Sequence, residues 1–207
     1  MKKIIIIALI VQLFYGCMKN VNNANYSDIV FNPQNSFSRE LKAKYTNELN
    51  QIAQKLSEYG LKVQQDGLGF TKGSTCKDCI YDEGDFWMFI SLEHASVDAN
   101  KNINIKIRGI NVAQKVVKDT FFALKDIDLN KLLAEKSFKG FLISGTYGIY
   151  KSINERIKPK DFETVDVYIP KITLIQYKNN TLSLNEILNY SQGYAAKFGS
   201  KNYEKIF

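Results

Sequence analysis

Histidine occurs once in these 207 residues and cysteine three times, and each scarcity closes off a class of function. With His94 alone, a serine hydrolase is not expected, and no Gly-x-Ser-x-Gly elbow exists to present a nucleophile. Ser144-Gly145-Thr146 lies inside an expected strand. Three cysteines and one histidine do not reach the four-ligand spacing of structural zinc. Phosphate-binding glycine loops and dinucleotide fingerprints are missing, so nucleotide chemistry has no foothold. There is no internal repeat and no sign of a second domain. Nor is any apolar run long enough to cross a bilayer. The stretch Ile4–Phe14, broken by Gln12, reaches about 16 Å as a helix, roughly half the hydrocarbon thickness.

What is present suits a folded body. Apolar content of 45% with 13% aromatics belongs to a globular chain, and the length is that of one domain able to bury a core without metal. The formal charge is +7; without Lys2 and Lys3 it is +5, from 26 basic and 21 acidic residues. The lysines are spread along the chain, which describes a solvated surface, and a field of this size also favours lipid head groups or polyanionic glycans. Nucleic-acid binding has no further support.

The first 17 residues have the build of an export signal: Met1-Lys2-Lys3, an apolar stretch, then Gly16-Cys17. This stretch resembles the lipobox of bacterial lipoproteins, in a relaxed form. Phe14 and Tyr15 stand where the family usually has leucine and a small residue, and Leu13 lies one place early. The resemblance implies that Cys17 receives a diacylglyceryl group and becomes the first residue after cleavage, so that residues 1–16 form a signal peptide. By the family's sorting habit, Met18 beside the cysteine implies the outer membrane. Residues 17–37 are rich in asparagine and lack a period of 2 or 3.6, and read as a flexible tether. Together the acyl chains would supply the two anchors that stable attachment needs.

From residue 38 to 207 the pattern is that of one α+β domain, a mostly antiparallel sheet of about five strands packed with three main helices. Leu41, Tyr45, Leu49, Ile52, Leu56 and Tyr59 make one helical stripe, with Lys42, Lys44, Glu48, Gln51 and Lys55 outward and Gly60 ending it. Leu61–Thr71 reads as a strand and Phe86–Glu93 as a central one, apolar on both faces. Ile103, Ile105 and Ile107 alternate with Asn104, Lys106 and Arg108, which predicts a half-wet strand joined to its predecessor as a hairpin. A helix follows over Val112–Leu124, then a short one near Leu129–Lys136 after Asp128. Phe141–Tyr150 and Thr164–Tyr177 read as strands, the latter an edge or a bend because Pro170 lacks a donor. Ser183 and Glu186 form a capping box that predicts a last helix through Leu184, Ile187, Leu188, Tyr194 and Phe198 to Gly199.

Cys76-Lys77-Asp78-Cys79 carries the one obvious chemistry. In an exported protein the expectation is a local disulfide between Cys76 and Cys79. A redox pair is the rival, disfavoured by Asp82, Glu83 and Asp85 nearby, which oppose a thiolate; a metal site would borrow His94. Asp82-Glu83-Gly84-Asp85 has clustered oxygens but not the twelve-residue calcium loop. A general-base role for His94 beside Glu93 would require a nucleophile in reach. Trp87 and Phe89 read as core. No catalytic residue, cofactor or resident metal is implied. The function expected is a non-catalytic, lipid-anchored envelope module for a protein or glycan partner, the alternative being a thiol-redox or metal-dependent protein built on Cys76 and Cys79.

Overall fold

The structure, a computed structural model, describes residues 28–72, 82–93, 99–152 and 161–207. Helix α1 (Ser36–Lys44) starts at Asn35, whose side-chain oxygen accepts the Ser38 amide at 2.8 Å. The chain leaves helical geometry at Tyr45 (φ −117°, ψ 27°) and resumes as α2 (Thr46–Glu58), so the single five-turn helix of the sequence reading is two. The apolar stripe survives the break. Leu41, Tyr45, Leu49, Ile52 and Leu56 are all buried, whereas Tyr59, expected in the stripe, is exposed and meets Phe122 edge-on. The bend lets the Tyr45 ring meet Phe70 and Phe86 at 5.5 and 6.1 Å while its hydroxyl donates to Glu135 at 3.0 Å. Glu48, expected outside, is buried with the stripe. Gly60 ends the helix at φ +68°, as its position predicts.

The six strands are β1 (Val63–Thr71), β2 (Phe86–Glu93), β3 (Phe138–Ile149), β4 (Asp161–Pro170), β5 (Gln192–Lys197) and β6 (Glu204–Lys205). They lie in chain order in one sheet, antiparallel except for the parallel pair β2–β3. A parallel pair needs a crossover. It is supplied by α3 (Ile105–Leu124) and the short α4 (Asn130–Leu133). The expected hairpin strand at Ile103–Ile107 is therefore the start of a helix. Asn104 caps it, accepting the Lys106 amide at 2.7 Å, and the buried row Arg108, Val112, Val116, Phe121 sets the period. Three alternating residues suit either structure; twenty residues of 3.6 periodicity decide it.

Pro170 does not mark an edge. Strand β4 lies between β3 and β5, and Pro170 falls at its last position, opposite Gly140, before α5 (Lys171–Lys178) begins. A Cβ on Gly140, at φ +154°, would stand 2.0 Å from the Ile169 carbonyl oxygen, so only glycine fits beneath that corner. The expected last helix is also overturned. Only half of the capping box forms: the Ser183 amide donates to Glu186 Oε2 at 3.0 Å, but Ser183 Oγ donates to the same carboxylate and the Glu186 amide goes to the Ser183 carbonyl. One 3-10 turn, Ile187–Tyr190, follows before the chain becomes β5. Pairing with β4 buries Tyr194 on one face and Ala195 on the other, which a helix would forgo.

The α-helices pack on one face of the sheet over a single core that includes Phe86, Met88, Phe141, Ile143, Val165 and Val167. Buried Arg108 holds α3 to this face. Its guanidinium makes two bonds to Glu163, 2.9 Å from Nε and 2.5 Å from Nη2, while Nη1 reaches the Ile103 carbonyl. The Tyr147 hydroxyl donates to the same carboxylate at 2.9 Å. Within the segment 17–37 read as a tether, residues 28–31 run beside β1, and Asn35 caps α1, which Ser36 and Phe37 open. The amides of Asp66 and Leu68 donate to the carbonyls of Asp28 and Ile29, and that of Phe31 to Leu68. These bonds occupy amides that a bare sheet edge would expose.

Candidate functional site

Side chains alternate across a strand, so the residues between the core positions gather on the other face of the sheet. That face lies opposite the main core, and of the described helices the first turn of α1 reaches it, with Asn35 and Ser38 bordering a groove there. At one end Trp87, Tyr168 and Tyr194 are buried together, with ring centroids 5.2 and 6.1 Å apart in edge-to-face contacts, and Leu142 and Tyr203 pack against them. Trp87 is core, as its sequence context predicts. Phe89 is only half-buried and meets Phe31 edge-on at 5.7 Å.

Between these aromatics runs a shallow groove of about 440 Å³, bordered by Phe31, Phe89, Leu142 and Tyr203 and floored by Ser91, Ser144 and Asp166. Ser144 Oγ donates to Asp166 Oδ1 at 2.7 Å and lies 3.4 Å from Thr164 Oγ1. Burial and the Asp166 carboxylate beside it push the Tyr203 phenol up to about 12, so it stays protonated as a donor across the physiological range. The arrangement offers hydroxyls and a carboxylate between apolar walls. That is the composition of a surface that orients a polar ligand by hydrogen bonds while covering its apolar side.

The buried Arg108–Glu163–Tyr147 group has no comparable opening. The Glu163 charge beside Arg108 raises the pKa of its guanidinium, and burial pushes the Tyr147 phenol far above its ordinary value. Three hydrogen bonds fix the carboxylate, which suits it to joining α3 to the sheet.

Cys17, Cys76, Cys79 and His94 lie outside the described residues. Of the acidic run, Asp85 is buried and bound: it accepts the Asp82 amide at 2.8 Å and pairs with Lys139 at 2.9 Å. Burial opposes its ionisation, but these two donors outweigh it and hold the carboxyl below the ordinary range. No group of three potential metal ligands occurs among the described residues, and no described helix is long and apolar enough to cross a membrane.

The sequence reading missed Ser144, Asp166 and Tyr203 as a group. One signal was available: Asp166 interrupts the apolar strand "TVDVYI", and a carboxylate there needs partners on its own face. Compared with protein-family models, curated proteins and solved structures, the chain has no match.

Proposed function

We propose that this chain is a lipid-anchored protein of the bacterial envelope, held through Cys17, facing the periplasm or cell surface from the outer membrane, and acting as a non-catalytic binding module for an envelope protein or glycan. The observation that carries the binding role is the groove on the face opposite the main core. Its floor of Ser91, Ser144 and Asp166 and its walls of Phe31 and Phe89 combine directional and apolar contacts in one place. The anchor is supported by the lipobox-like Gly16-Cys17 after an apolar segment too short to span. Ser91 is half-buried on the groove floor, so Ser91→Arg fills the groove without removing a core contact. In a titration of the intact protein against purified envelope glycan and outer-membrane protein fractions, S91R should weaken binding by about tenfold or more, a loss of roughly 1.4 kcal/mol. Binding that S91R leaves unchanged would remove the groove from the account.

A further inference from the structure

Resting on the anchored reading above, we infer that one end of the sheet, the end bearing Phe198, docks on an anionic lipid bilayer. Three chain segments meet there. Strand β3 ends at Ile149 opposite Asp161, β5 ends at Lys197 opposite Glu163, and the first turn of α3 is held to the same level by Arg108. Lys101, Lys197 and Phe198 border one depression of about 510 Å³. Phe198 is 62% exposed and Ile107, in the first turn of α3, is 53% exposed. Lys106 and Lys201 are exposed close to them in the chain.

On this side the formal charges are Lys101, Lys106, Lys151, Lys197 and Lys201 against Asp161, since Arg108 and Glu163 neutralise each other, as do Glu204 and Lys205 on β6. Asp161 lies 3.4 Å from Lys101 in an exposed pair, which holds the lysine weakly. Asp28 and Asp66 lie at the β1 edge, while Glu93 borders a second depression with Phe198 and places one carboxylate at the margin of the contact, which is centred on the α3–β5 side. Lysines interleaved with bare apolar side chains match a head-group layer, where the ammonium groups meet phosphates and the apolar groups enter the boundary below. A soluble anion would use the lysines and leave Phe198 and Ile107 in water.

The chain's course supplies a second argument. Residues 28–31 run parallel to β1, and Asp28 lies on the side of the Val30–Leu68 bridge nearer the pairing of Val63 with Leu92. That pairing is at the Lys197 end of the sheet, so the chain enters the fold from the end that carries Phe198. Cys17 is eleven residues before Asp28, at most about 40 Å of extended chain. An acyl group on Cys17 would keep this end close to the lipid.

Amide hydrogen exchange of the full chain on phosphatidylcholine vesicles, with and without phosphatidylglycerol, tests the inference. Exchange over 101–107 and 197–202 should slow about fivefold or more when phosphatidylglycerol is present. Lys101→Gln with Lys197→Gln, and separately Phe198→Ser, should abolish that protection and leave the unfolding transition unchanged. Equal exchange on the two vesicles, or equal protection by inorganic phosphate alone, would overturn the proposal. The intact mass of the same sample reads the anchor separately. An unacylated chain that is still protected sinks the anchor and keeps the docking surface, whereas an acylated chain without protection does the reverse.

Discussion

Glu163 is 2% exposed and carries a full charge opposite Arg108, so its removal leaves a guanidinium in the protein interior without its counter-charge. Glu163→Ala should therefore lower stability by about 3–5 kcal/mol in urea unfolding, more than the paired Arg108→Met, Glu163→Met substitution, which removes both charges. A loss below about 1 kcal/mol would show that water reaches the pair. Asp85 gives a pH dependence of definite sign. Its folded carboxyl lies below the ordinary value, so the stability it contributes is fully present above the unfolded pKa of about 3.9 and fades as pH falls through the lower folded value. Between about pH 5 and pH 2 the urea midpoint of the native protein should drop more steeply than that of Asp85→Asn. Parallel curves would mean that Lys139 and the Asp82 amide contribute no net preference for the charged form.

Helix α3 shows how much at the element level depends on one capping residue. Asn104 accepts the Lys106 amide, and Asn104→Ala should cost about 1 kcal/mol, measured by thermal or urea unfolding. No change would mean that Arg108, bonded to the Ile103 carbonyl, already fixes that turn. The same helix marks where the sequence was legible and where it was not. Strand β2 has the expected bounds, Phe86–Glu93, because an eight-residue run apolar on both faces has few other places to go. The end of α2 at Gly60 was legible through a purely local conformational need. By contrast, Ile103–Ile107 alternates over too few residues to separate strand from helix, and the true partner of β2 is β3, reached through a crossover that local pattern does not encode. At Ser183 the local signal was partial and short-lived: only the Glu186 half of the capping box formed, and pairing of β5 with β4 overrode the helix. The groove was illegible for a related reason, since Ser144, Asp166 and Tyr203 come from three segments whose register only the folded sheet defines.

At the scale of the whole molecule, the sheet divides two tasks. One face is closed by helices over the main core, and the other presents Ser91, Ser144 and Asp166 between aromatic walls. The chain runs beside β1 at residues 28–31, eleven residues after Cys17, and an anchor there would set both the height and the orientation of the groove above a membrane. All of this turns on whether Cys17 carries lipid. The intact mass of the protein isolated from its native membrane is the direct measurement. The account predicts a chain beginning at Cys17 with added diacylglyceryl and amide-linked acyl mass; a chain that retains Met1, or begins elsewhere with no acyl mass, would contradict it.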